Sequence, residues 1–132
     1  MALVVPDSGE VEMLKRILNV TIADPDVVLR LYTNDYTPIE TSVVGSFTDA
    51  TGAGYAPVTM TPATWTISGD PTEAIYSEIE LAFTAAEPTI YGYFLTNTAD
   101  NTLLWAERFV DGPYVIPAGG GSVFITPKIQ LA

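Results

Sequence analysis

Residues 74–84 read Ala74-Ile75-Tyr76-Ser77-Glu78-Ile79-Glu80-Leu81-Ala82-Phe83-Thr84. Ile75, Ser77, Ile79, Leu81 and Phe83 alternate with Tyr76, Glu78, Glu80 and Ala82. That is the two-residue period of an extended strand. One side is apolar and the other carries two carboxylates, so the pattern predicts a half-buried strand in an antiparallel sheet. Glu87-Pro88 ends it. Downstream, residues 90–96 and 102–110 flank the polar loop Asn97-Thr98-Ala99-Asp100-Asn101. They read as a hairpin, although the loop holds no glycine. Residues 114–116 read as a brief strand, 118–121 as a glycine turn and 122–131 as the last strand. Upstream, 27–33, 55–59 and 64–68 read as strands, and 42–47 is ambiguous, with a short strand allowed. Short strands at roughly ten-residue spacing predict an antiparallel β-sandwich of jelly-roll type with about seven to eight strands.

Residues 9–19 have a different period. Val11, Leu14, Ile17 and Leu18 recur at three- and four-residue steps and share one face of a short helix. Glu10 and Glu12 precede Lys15 and Arg16, the order that the helix dipole favours. Asn19 and Asp24-Pro25 mark the stop and the turn beyond it. The chain thus reads as one β domain over 1–132, with a lead-in and helix in 1–19 and the sandwich in 27–131. Its 132 residues suffice for a core without staples.

Charged residues make up only 16% of the chain, yet the formal charge is −11. Phosphate backbones repel such a surface, which excludes nucleic acid as an expected partner. The apolar runs are shorter than the roughly 20 residues of a membrane helix. The start of the chain lacks the basic region of a signal peptide. The expectation is synthesis in the cytoplasm and no membrane contact.

Histidine and cysteine are absent. Ser-His-Asp and Cys-His catalysis, common zinc sites and thiol redox chemistry are therefore not expected. Glu78 and Glu80 stand on one strand face about 6.8 Å apart, a spacing that glycosidases use. Nothing around them would raise a carboxyl pKa, so a solvated face is the simpler reading. Asp24, Asp26, Asp35, Asp49, Asp70, Glu73, Asp100 and Asp111 sit mostly in turns, where acids form turns and can also bind calcium. No EF-hand spacing exists among them. Ala118-Gly119-Gly120-Gly121-Ser122 lacks the lysine of a phosphate loop. The expectation is a protein with no catalytic residue, cofactor or metal.

Residues 90–96 are apolar on both faces, with Tyr91, Tyr93 and Leu95 opposite Ile90, Gly92 and Phe94. Residues 102–109, with Trp105, are similar. A two-layer sandwich buries one face of each strand, so the second needs a cover. That cover is either the helix or a neighbouring subunit. Val11, Leu14, Ile17, Leu18, Tyr91, Tyr93, Leu95 and Trp105 are the candidate interface residues. Eight aromatics, Tyr32, Tyr36, Tyr55, Tyr76, Tyr91, Tyr93, Tyr114 and Trp105, offer a glycan platform as the alternative.

Several segments taken in order carry a resemblance: Val11-Glu12-Met13-Leu14-Lys15-Arg16-Ile17-Leu18-Asn19, Leu29-Arg30-Leu31-Tyr32-Thr33-Asn34-Asp35-Tyr36-Thr37-Pro38 and Gly45-Ser46-Phe47-Thr48-Asp49-Ala50-Thr51-Gly52-Ala53-Gly54-Tyr55. Ala63-Thr64-Trp65, Ile90-Tyr91-Gly92-Tyr93-Phe94, Leu103-Leu104-Trp105-Ala106-Glu107-Arg108-Phe109 and Ile125-Thr126-Pro127-Lys128-Ile129 complete the set. Over nearly its whole length the chain resembles small structural proteins of tailed bacteriophages. The resemblance implies a virion component, a capsid decoration (cement) protein. It further implies the major capsid protein as partner and a homo-oligomer, a trimer by preference. A tail-associated receptor- or glycan-binding module is the alternative.

Overall fold

A computed structural model describes residues 3–18 and 26–130, apart from the side chains of Ile17, Ala63 and Pro88. The expected stop at Asn19 and turn at Asp24-Pro25 lie outside the described residues. Among the described residues one α-helix, α1 (Asp7–Ile17), precedes eleven strands in antiparallel sheets. The strands are β1 (Val27–Tyr32), β2 (Val58–Met60), β3 (Thr66–Ser68), β4 (Glu73–Ile75), β5 (Ile79–Phe83) and β6 (Glu87–Ile90), then β7 (Gly92–Asn97), β8 (Leu103–Arg108), β9 (Tyr114–Ile116), β10 (Gly121–Ile125) and β11 (Lys128–Gln130). They form the sheets β2-β1-β7-β8, β10-β5, β11-β4-β3 and β6-β9.

There are more strands than the seven or eight expected because the runs 74–84 and 122–131 each change partners part-way, and because Glu87-Pro88, expected as a break, opens β6 against β9. The run 74–84 is β4 and β5. Ile79, Leu81 and Phe83 are buried and Glu80 and Ala82 exposed, as the alternation predicts. Between the two strands Tyr76 donates its amide to the Pro127 carbonyl at 2.9 Å. Opposite, Pro127 has no N–H with which to continue a ladder, so the run 122–131 divides into β10 and β11. At Tyr91 the chain leaves β9 and joins β1 and β8, which separates β6 from β7. Residues 42–47 do not form a strand; Val44–Ser46 is one turn of 3-10 helix.

The β7–β8 hairpin forms as predicted. Asn97 Oδ1 accepts the amides of Asn101 and Thr102, both at 3.1 Å. Asp100 takes the left-handed position at φ 56° that glycine would otherwise fill.

The β1–β7–β8 sheet is buried on both faces. On one, Leu29, Leu31, Tyr93, Leu95, Leu104 and Trp105 meet Ile79, Leu81 and Phe83 of β5 and Val123 and Ile125 of β10. A bulge lets β8 contribute two consecutive residues there. Leu95 pairs with Trp105 and Thr96 with Leu103, which leaves Leu104 unpaired. The other face is covered by the chain's own loop after β1, and neither the helix nor a neighbour is needed for it. Phe47 stacks on Phe94 at 4.6 Å and meets Tyr32 edge-on at 5.0 Å. Asn34 pins that loop by accepting the Thr48 amide at 2.8 Å and donating to the Ser46 carbonyl at 2.9 Å. α1 packs instead on the β8 edge, beside the lead-in bridge between Val4 and Ala106.

Candidate functional site

The candidate interface residues separate into two groups. Tyr93, Leu95 and Trp105 are 2%, 0% and 7% exposed and belong to the main core. They lie in the interior and not at an interface, in one cluster with the β5 and β10 side chains, and Trp105 also lines the cleft under α1 beside Trp65. Tyr91 is half-buried under the Arg108 guanidinium, 5.0 Å above its ring. Val11, Leu14 and Leu18 are 51%, 57% and 70% exposed. They share one face, as the spacing predicts, and that face points to solvent. The Ile17 side chain is outside the described part.

Two contacts set this rotation. Ser8 Oγ donates to the Leu103 carbonyl at 2.7 Å. Gly9 lies so close to β8 that a Cβ on it would stand 1.9 Å from the Leu104 carbonyl oxygen. Gly9 and Met13 therefore face the sheet, and the apolar stripe faces away. Sequence reading did not single out Gly9. A glycine inside a predicted first turn, where alanine is a better helix former, was the available signal.

Below α1 lies an apolar cleft of about 350 Å³. Met13, Met60, Trp65, Leu104, Trp105 and Ile129 line it, with Glu12 and Arg16 among its polar residues. Trp65 and Trp105 meet edge-to-face at 6.0 Å. Trp105 Nε1 is buried and has no hydrogen-bond acceptor among the described residues. Nearby, the Tyr93 hydroxyl donates to Glu107 Oε2 at 2.8 Å, and burial raises the Tyr93 pKa. Of these cleft residues only Trp105 was picked out from sequence. Met60, Trp65 and Ile129 come from distant strands, and their meeting carries no local signal.

Of the eight turn acids, Asp35, Asp49, Glu73 and Asp100 form ion pairs, and Asp24 lies outside the described residues. Arg30 lies between Asp49, at 3.0 Å, and Asp100, at 3.3 Å. Desolvation raises the Asp49 pKa, and the Arg30 charge opposes it. Arg108 reaches Asp35 at 2.7 Å, and Lys128 pairs with Glu73. Among the described residues no three acids converge as a metal site would require. Glu78 and Glu80 are both exposed, and Glu80 accepts a hydrogen bond from Ser122 Oγ at 2.7 Å. The eight aromatics do not form one platform: Tyr32, Tyr76, Tyr93 and Trp105 are buried, and Tyr55 is stacked on Phe83 at 5.1 Å. No described helix is long and apolar enough to cross a membrane. No protein-family profile, curated protein or solved structure matches the chain.

Proposed function

We propose that this chain is a non-enzymatic structural protein of a tailed-bacteriophage virion, a decoration (cement) protein that stabilises the head shell. Made in the host cytoplasm, it binds the major capsid protein and stands on the shell as a closed cyclic oligomer, a trimer by preference. We read its sheets as the layers of a distorted jelly-roll sandwich, with loop 33–48 as an added cover. The observation that carries the reading is the outward apolar stripe Val11, Leu14 and Leu18 on a body whose own core is complete without it. A stripe held in solvent by the packing beneath it costs free energy unless a surface covers it. The order of the resembling segments supplies the phage context.

The test mixes purified protein with heads that lack it, and follows co-sedimentation and the temperature at which the heads release their genome. Binding that raises this temperature is expected. Absence from heads and presence on tails would overturn the cement reading. The cleft with Trp65 and Trp105 favours one alternative, a tail-associated glycan- or receptor-binding module. That reading requires cell-surface sugars to change the tryptophan emission in a saturable way.

A further inference from the structure

The outer face of α1 has the spacing of a coiled-coil seam. Val11, Leu14 and Leu18 occupy the a, d and a positions of a heptad. Gly9 and Met13, at f and c, face the sheet. The helix cannot roll to bury its stripe, because Ser8 is bonded to Leu103 and the Leu104 carbonyl fills the space beside Gly9. The seam is therefore presented by the fold.

The flanking charges select the occupant. Glu10 is at g and Lys15 at e of the next heptad. In parallel coiled coils a g residue meets the e residue five positions on in the neighbouring helix, and such pairs set partner choice and orientation. Glu10 and Lys15 are five positions apart and opposite in charge. An antiparallel seam places g beside g and e beside e, so it does not bring Glu10 against Lys15. Lys15 already donates to Glu12 of its own helix at 2.7 Å, but its side chain remains 42% exposed. An ammonium has three donors, so an incoming carboxylate can share it. Glu10 has no ion pair among the described residues.

We infer that α1 is the contact between copies of this chain, which meet in parallel around a cyclic axis through Val11, Leu14 and Leu18, with Glu10 of one copy paired to Lys15 of the next. The inference rests on the reading of the chain as a self-assembling structural protein and names the surface used.

Because the chain has no cysteine, Val11→Cys is a single-site probe. A parallel seam brings position 11 of one copy beside position 11 of another, within disulfide reach. Oxidation then gives a covalent dimer on a non-reducing gel. An antiparallel seam sets the a position 11 against a d position such as 14 and gives none. Light scattering on the full chain supplies the second readout. Wild type is expected as an oligomer, and Leu14→Glu as a monomer with unchanged circular dichroism. Glu10→Lys should weaken association severalfold, and Glu10→Lys with Lys15→Glu should restore most of it. A wild-type chain that is monomeric at all concentrations overturns the inference, while head binding still tests the cement reading separately. An oligomer that tolerates Leu14→Glu, or gives no cross-link at position 11, overturns the inference alone.

Discussion

Gly92 sits in β7 under the Tyr32 ring, and its missing side chain makes the second sheet face possible. A Cβ there would lie 2.1 Å from the Glu107 carbonyl oxygen and 2.6 Å from Tyr32 Oη. Neither neighbour can yield cheaply, since one is backbone and Tyr32 is held between Phe47 and Phe94. Gly92→Ala is expected to cost about 1–3 kcal/mol, the usual range for overpacking. The measure is a lower urea midpoint at unchanged slope. The tyrosines themselves predict an alkaline limit. Burial raises the pKa of Tyr55 to about 12 and that of Tyr32 and Tyr93 further. Unfolded tyrosine ionises near pH 10. Above that pH the unfolded chain loses protons that the folded chain keeps, so stability is full below about pH 10 and falls as pH rises toward the folded values. Tyrosinate absorbance at 295 nm from these three should therefore appear together with loss of the near-ultraviolet circular dichroism. Titration of all seven tyrosines in a chain that stays folded would contradict it.

The elements divide into those readable from sequence and those set by distant partners. The strand runs, the 97–101 turn and the alternation of β5 were legible, because each rests on a local period or on turn chemistry. The division of two runs, and the separation of β6 from β7, was not. It follows from Pro127 facing Tyr76 and from the change of partners at Tyr91, both contacts across long stretches of chain. Loop 33–48 was illegible as a cover, since Tyr36, Val44 and Phe47, which provide it, do not alternate as strand residues do and are separated by turn formers such as Pro38 and Gly45. For α1, spacing placed Val11, Leu14 and Leu18 on one face but could not say which way it points. A general rule turns the apolar face inward, and here close approach at Gly9 prevails. This rotation is testable at a dilution where copies are apart. Met13 is half-buried against the core and Leu14 is exposed. Met13→Ala should cost about 1–2 kcal/mol, less than a fully buried methionine. Leu14→Ala should stay within about 0.5 kcal/mol. Thermal melts of the two variants decide, and the reverse order would mean that the helix faces the other way.

At the scale of the molecule, charge governs how copies can approach. Sixteen acidic residues oppose five basic ones. Lys15, Arg30, Arg108 and Lys128 are all engaged by the chain's own carboxylates. Two copies therefore meet as bodies of charge −11 each. A folded chain of this length has a diameter of about 36 Å, taken from the radius-of-gyration scaling. At that separation the repulsion in water is about 14 kcal/mol unscreened. Screening reduces it to about 4 kcal/mol at 0.01 M salt and to about 0.2 kcal/mol at 0.15 M. The exposed pairs between Glu10 and Lys15 contribute at most about 1 kcal/mol each, which salt also weakens. Repulsion is the larger quantity at low salt and the apolar seam is indifferent to it, so added salt should strengthen association. Light scattering at fixed protein concentration should show the mean mass rising as sodium chloride goes from 10 to 150 mM, values chosen because the screening length drops there from about 30 to 8 Å. A mass that falls over that range would mean that ion pairs, not apolar contact, hold the copies together, and would place the interface away from the α1 stripe.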